Sequence, residues 1–334
     1  MAVAAASGTG PGESPGAPGQ TGDQSKEYSE TMQSKMGSSL VYSHDAGMNY
    51  ARVAPRLMVG SCVQTPADVD RLRAEGVGLI FSLQEDKDMA HFGLDIEPIR
   101  RRAAELGMAH VRRPIRDFDP FHLRQQLPGA VGCLARELAS RPAGQVAYVH
   151  CTAGLGRAPA TALGYMAWID GTPLDAALAQ LLAVRRCHPQ VGMIRAATCD
   201  IIAGEEGGLC EAEVGIDRPG AATVEVAGLD VGWGSRVQLE KAGGARFVLR
   251  RRLPAGSYQY KFIVDGEWMA STDLPTVDDN GNVNNVLNVS PPLGSVDAER
   301  RGRLMAAGSH LSKEELELIA GKLLCRADSA LPAL

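Results

Sequence analysis

QVAYVHCTAGLGRAPA, residues 145–160, decides how this chain reads. An apolar run ending in His150 and Cys151 has the length of a buried strand. Thr152, Ala153, Gly154, Leu155 and Gly156 then form a glycine-bearing turn, and Arg157 opens a helix-like stretch. At a helix start the backbone N–H groups are unpaired and the dipole is positive. A turn at that point can aim several N–H groups at one anion. The same field favours the thiolate of Cys151, the nucleophilic form. Arg157, six residues on, can return a planar guanidinium fork to two oxygens of that anion. Gly154 and Gly156 permit backbone angles and close approaches that a side chain would block.

The spacing therefore reads as phosphoryl transfer. Cys151 attacks phosphorus, a cysteinyl-phosphate forms, and water hydrolyses it. Arg157 and the loop amides hold the phosphoryl oxygens, most tightly in the transition state. His150 is expected to orient the nucleophile without touching substrate. A leaving alkoxide needs a proton, so a general acid should lie on another loop. RDFDPF, residues 116–121, offers Asp117 and Asp119. Asp119 is the better placed to cap a helix beginning near Phe121, and spacing alone leaves the choice open.

Outward from this loop, residues 41–204 alternate short apolar runs with amphipathic stretches. Strands are expected at 56–61, 77–83, 109–115 and 145–151. Helices are expected at 66–75, 97–106, 122–139, 157–169, 173–185 and 192–203. That alternation predicts an α/β domain, a central sheet flanked by helices. Residues 1–40 begin with a stretch rich in Gly, Ala, Pro and Ser and are expected to be disordered. Residues 205–220 read as a linker. From 221 to 295 the period changes to two, with strands expected at 221–229, 235–241, 245–253, 257–266 and 285–289. This predicts an all-β sandwich. In 296–334, Ser312 and Glu315 form a capping box ahead of the apolar stripe Leu316, Ile319 and Leu323. That C-terminal helix is expected to dock on the domains.

A chain of 334 residues has room for two domains. A net charge of −5 gives no reason to expect nucleic acid, and no apolar run suggests a transmembrane helix or a membrane partner. The seven cysteines are scattered without a CxxC pair. They read as reduced thiols, with no metal site and no cofactor expected. Residues 1–35 contain no Arg but do contain Glu13 and Asp23, so no organellar leader is visible.

HCTAGLGR resembles the signature of the cysteine-dependent protein tyrosine phosphatases, dual-specificity branch. HDAGMNY (44–50), LQEDKD (83–88), RRPIRDFDP (112–120) and CTAGLGRAP resemble the starch-excess-type glucan phosphatases of plants and algae. Ala158 follows the signature arginine, as in that family, where other dual-specificity phosphatases usually carry Ser or Thr. The resemblance implies a phosphoric monoester hydrolase acting on phosphorylated glucosyl units of starch. It implies Cys151 as nucleophile, Arg157 as phosphate binder and Asp117 as general acid. Tyr42, Phe92 and Phe118 fall where the family lines its glucan channel, and His188 stands where another channel aromatic is expected. The second domain resembles the carbohydrate-binding module of family 48. By that match Trp233 and Trp268 are stacking platforms, while Lys261 and an Asn of the pair Asn284–Asn285 bond the glucan. A monomer in the plastid is expected, the location following from the substrate. The alternative is a dual-specificity protein phosphatase targeted to starch or glycogen by its sugar module.

Overall fold

The computed structural model describes residues 18–37, 39–279 and 281–325. The chain begins with α1 (Pro18–Met36), followed by β1 (Tyr50–Ala54), β2 (Leu57–Gly60), α2 (Pro66–Ala74) and β3 (Val77–Ser82). Then come α3 (Asp86–His91), α4 (Glu97–Glu105), β4 (Ala109–Arg112), α5 (Pro120–Ala139) and β5 (Val146–His150). Three helices close this α/β body: α6 (Arg157–Trp168), α7 (Leu174–Val184) and α8 (Val191–Gly207). Its sheet runs β1-β2-β5-β3-β4, parallel except for the antiparallel β1–β2 pair. β3 and β5 are buried at every position, as expected of central strands covered on both faces. One core lies under α5, α6 and α8, and a second lies under α2 and α4. Between them, the strand β5 delivers Cys151 to the end of the sheet.

The second half contains β6 (Leu209–Asp217), β7 (Val224–Gly228), β8 (Gly232–Gln238), β9 (Glu240–Gly243) and β10 (Arg246–Pro254). It continues with β11 (Gly256–Val264), β12 (Glu267–Met269), β13 (Thr276–Asp279) and β14 (Asn282–Val289). One sheet is β6-β10-β9, and the other is β13-β14-β11-β7-β8 with β12 paired to β11. Both contribute to a single core, with Val214, Ile216, Phe247 and Leu253 from the first and Val224, Val226, Tyr260 and Phe262 from the second. This is a β-sandwich.

Three expectations change here. The stretch expected as a linker contains β6, paired with β10 along its whole length from Leu209↔Pro254 to Asp217↔Arg246. Cys210, Ala212, Val214 and Ile216 alternate with Glu211, Glu213 and Asp217, and this period of two turns one face to the core. The strand expected at 235–241 is broken at Leu239, so that β8 and β9 belong to different sheets. Residues 18–36, expected to be disordered, form α1, with Ser25, Ser29 and Met32 buried at helical spacing. The expected disorder of residues 1–17 lies outside the described residues.

The two halves meet along α5. Buried Arg124, held by a bidentate pair with Asp200 of α8 with both bonds at 2.6 Å, abuts β11, where a Cβ on Gly256 would lie 2.8 Å from its Nη1. Phe121 packs on Tyr258 with ring centroids 5.4 Å apart. Past the sandwich, α9 (Val296–Met305) and α10 (Lys313–Cys325) return to the α/β body. Ser312 and Glu315 form the capping box reciprocally, at 3.2 and 2.9 Å. Ile319 and Leu323 join the main core, each worth about 1.5–3 kcal/mol of burial. Arg136 and Lys322 fix the helix by donating to the carbonyls of Leu323 and Ile201, both at 2.7 Å. Residues 326–334 of the expected C-terminal segment lie outside the described residues.

Candidate active site

The turn after β5 closes as the sequence suggests. Cys151 is buried at the strand end, and Gly156 stands at the N-cap of α6 without a side chain to cap it. The positive end of the α6 dipole and its unpaired first-turn N–H groups therefore lie at this turn. Gly154 has φ +68°, and a Cβ there would lie 2.3 Å from the backbone of Gly60. Only glycine fits this point. Arg185, a residue the sequence reading did not single out, braces the turn from behind. It donates from Nε to the Gly154 carbonyl at 2.9 Å and from Nη2 to Asn49 Oδ1 at 2.8 Å. Its signal would have been an arginine at the C-terminal end of α7, which spacing alone does not connect to the loop.

Arg157 points back over the turn. Nη1 donates to Asp88 Oδ2 at 2.5 Å and to the Ile115 carbonyl at 2.9 Å. Nη2 donates to Asp117 Oδ2 at 2.5 Å and to Thr152 Oγ1 at 3.1 Å. The Nε–H is buried and has no partner among the described residues. An oxyanion seated on the turn would supply one. Burial opposes the guanidinium charge, but neighbouring negative charge, Asp117 foremost, outweighs it and holds the pKa well above the ordinary value. His150 bonds the Cys151 carbonyl from Nδ1 at 3.2 Å, so it orients the backbone of the cysteine. Burial pushes its imidazole down to about 3, which keeps it neutral.

Asp117 and Asp119 part company in space. Asp119 caps α5, accepting from the His122 N–H at 2.8 Å, and pairs with Arg116 at 3.0 Å. Asp117 turns to the loop. The left-handed Phe118, φ +57°, places its N–H on Asp117 Oδ1 at 3.1 Å. Burial raises the Asp117 pKa above the usual carboxylate range, against the opposing pull of Arg157. A carboxyl held this way keeps a proton to higher pH, which suits a proton donor.

The aromatics around this point form their own cluster. Tyr42 and Phe92 are buried with Ala153, and Tyr28 and Leu155 pack against them. Phe92 stacks on His44 at 4.4 Å. Phe118 is half-buried, and His188 stays exposed at the rim, its N–H on the Leu155 carbonyl at 2.7 Å.

On the sandwich, Trp233 is 42% and Trp268 46% exposed. Trp268 pairs with Ile263, and Lys261 lies two residues along the same strand, so both share one sheet face. The Arg236 guanidinium lies 5.4 Å from the Trp268 ring centroid. Gly232, beside Trp233, abuts Arg116 and Asp119; a Cβ there would be 2.6 Å from Arg116 Nη1. The sandwich therefore reaches the loop that carries Asp117. Asn285 is fully buried and bonds Ser271 through both its N–H, at 2.8 Å, and its carbonyl, at 2.8 Å. Asn284 is buried and donates to Gln259 Oε1 at 2.6 Å. In this arrangement both side chains brace neighbouring strands and turns.

Residues 217–295 match the family model of the glycogen recognition site of AMP-activated protein kinase. The chain is 42% identical over 301 residues to the amyloplastic phosphoglucan phosphatase DSP4 of Castanea sativa, covering 88% of this chain and 78% of that protein. It is 32% identical over 272 residues to the chloroplastic phosphoglucan phosphatase LSF1 of Arabidopsis thaliana, covering 79% of this chain and 45% of that one. Laforin of Mus musculus is 28% identical over 142 residues, 39% of this chain and 42% of that one. With Cys151 and Arg157 flanking a glycine turn in the α/β body and a sandwich that matches the glycogen-recognition model beside it, the chain belongs to the phosphoglucan phosphatases.

Proposed function

We propose that this chain removes phosphate monoesters from the glucosyl units of starch, in the plastid, through a cysteinyl-phosphate intermediate. The observation that carries the reading is the buried Nε–H of Arg157, without a partner among the described residues, beside the turn that follows Cys151. A phosphate monoester supplies the oxygens that this donor and the loop amides require.

In the reaction, Cys151 Sγ forms a bond to phosphorus and the glucosyl oxygen leaves. Asp117 gives that oxygen its proton, a step worth about 10²–10⁴ in rate. Water then attacks the phosphorus of the cysteinyl-phosphate and gives a proton to the Asp117 carboxylate, the S–P bond breaks, and inorganic phosphate departs with the thiolate and the acid both restored. Thr152, Ala153, Gly154, Leu155 and Gly156 present their backbone to the phosphoryl oxygens throughout. Tyr42, Phe92, Phe118 and His188 are proposed to meet the glucan around the scissile ester. Trp233, Trp268 and Lys261 hold the same polymer on the sandwich. Sugars present flat, C–H-rich faces, which exposed tryptophans cover well. Tethering raises the effective concentration of chain ends at Cys151, since an insoluble glucan offers few accessible phosphates at once.

The test is phosphate release from phosphorylated amylopectin by the wild type and by Cys151→Ser, with a phosphotyrosine peptide in parallel. Release from the glucan that disappears in the variant is expected. Release from the peptide alone would move the enzyme to the protein-phosphatase reading and leave the sandwich as a targeting device.

A further inference from the structure

α1 lies directly over the catalytic turn. Tyr28 donates its hydroxyl to Asp117 Oδ2 at 2.6 Å, the same oxygen that accepts Arg157 Nη2. Its ring sits among the aromatics expected to meet glucan, with centroids 5.3 Å from Phe118, 5.6 Å from Tyr42 and 5.9 Å from Phe92. The helix is fixed beside this point by Ser29, which donates to the Tyr42 carbonyl and accepts from its N–H, both at 3.0 Å. Ser25 accepts from the His44 N–H at 2.9 Å, and Met32 is buried. Beneath α1, Tyr42 is 3% exposed, Phe92 7% and Cys151 2%.

We infer that α1 is a cap in cis, and that Tyr28 occupies the place of the leaving group, so that glucan and α1 compete for one site. The inference rests on the catalytic reading of Cys151 and Asp117. A hydroxyl on a ring-shaped skeleton, hydrogen-bonded to the proton donor and enclosed by aromatic faces, reproduces what a freshly dephosphorylated glucosyl hydroxyl would present. In this arrangement both oxygens of Asp117 are engaged. Oδ1 holds the Phe118 N–H, and Oδ2 holds Tyr28 and Arg157. The guanidinium fork of Arg157 is engaged by two carboxylates at once. A phosphoryl group must displace these contacts to be held, and a glucan must displace the helix to reach them. The contact is built for release. Among the described residues it rests chiefly on Tyr28, Ser25, Ser29 and Met32, with the Gln24 carbonyl 3.4 Å from His91 Nε2, where a permanent helix docking would bury a leucine-rich stripe. Hydrogen bonds of this kind contribute modestly because water replaces them on opening.

The experiment measures alkylation of Cys151 by iodoacetamide in the full chain, peptide by peptide, by mass spectrometry. Tyr28→Ala should label Cys151 about tenfold faster than the wild type, as loss of one charge-assisted hydrogen bond and its ring contacts implies. Tyr28→Phe, which keeps the ring, should give a smaller increase. Cys133, buried in α5, serves as the folding control. The same variants should show higher kcat/KM on para-nitrophenyl phosphate. Unchanged or slower labelling of Cys151 in both variants, with Cys133 silent, overturns the cap. If Tyr28→Ala exposes Cys133, Tyr28→Phe decides by the same criterion. Failure of the catalytic reading is seen separately, as absence of phosphate release from amylopectin by every form including the wild type, while the alkylation rates still rule on α1.

Discussion

The two aromatic surfaces of this molecule stand in opposite states. Around the catalytic turn Tyr42 and Phe92 are buried beneath α1, whereas on the sandwich Trp233 and Trp268 stand nearly half exposed. Both sets are proposed to meet the same polymer. The sandwich platform sits on strands and needs nothing to move before a sugar face can stack on it. The catalytic aromatics need a helix to leave. Recognition and chemistry are therefore separated in cost: the polymer can be held first on an open surface, and the tethered chain can then contend with α1 at high local concentration. Gly232, beside Trp233, lies against Arg116 and Asp119 of the loop that carries Asp117.

The strongest way to break this comparison is to remove the chemistry and leave the platform. Cys151→Ser should lower phosphate release from both amylopectin and a small ester by more than about 10⁴-fold, since nucleophile and loop act as a unit. Starch-granule co-sedimentation should stay at the wild-type level. Loss of sedimentation would mean that the catalytic channel, not the sandwich, carries the binding.

Asp117→Asn should cost about 10²–10⁴ in kcat on amylopectin, whose alkoxide leaving group needs the proton. The loss should be smaller on para-nitrophenyl phosphate, whose phenolate leaves readily. Steady-state rates on the two substrates check this, and equal losses would remove Asp117 from the role of acid.

Acid should separate the two regions by stability. Residues 217–295 contain none of the seven histidines. The α/β body holds His150, pushed down to about 3 by burial, and His110, pushed to about 4 by burial with help from Arg100 and Arg112. A histidine with a depressed native pKa binds its proton only after unfolding. Stability is thus complete above the unfolded pKa near 6.5 and falls as pH drops below it. For His150 alone the loss is about 2 kcal/mol by pH 5. Thermal melts from pH 7.5 to 5, followed by near-ultraviolet circular dichroism, should show the Trp168 environment of the body failing before the sandwich. A sandwich that fails first would refute the assignment of acid sensitivity to these histidines.

The smallest effect sharpens the comparison most. Trp233→Ala should weaken binding to starch granules roughly two- to tenfold, the range expected for one stacked aromatic. Hydrolysis of para-nitrophenyl phosphate should not change, because that ester never reaches the platform. Parallel losses on both would place Trp233 in the catalytic channel, close as it is to the Asp117 loop.

Much of this could be read along the chain. A strand of five buried residues, a glycine turn and a helix beginning at Arg157 appear where the apolar run and its punctuation put them. The helices at Pro66–Ala74 and Glu97–Glu105 match their expected bounds to within a residue. Local rules suffice there because a proline at the start and the hydrophobic period act over a few residues. The short helix Asp86–His91, which brings Asp88 to Arg157, carried no comparable period and was not foreseen. Nor did the glycines around residues 205–220 let β6 be seen, although its alternation was present in the sequence.

What the sequence by itself determined is the chemistry of the turn. Backbone donors, a cysteine and an arginine six residues apart converge on one point whenever a strand ends and a helix begins between them. What only the tertiary structure decided is which distant groups face that point. Arg185 braces the turn, Asp117 faces it while Asp119 caps a helix, Asn284 and Asn285 serve the interior, and Tyr28 of a serine-rich helix reaches across 89 positions to Asp117. The physical reason is one of range. Strand and helix signals act between neighbours in sequence, whereas these contacts join groups that only the completed core brings together, and no local pattern records them.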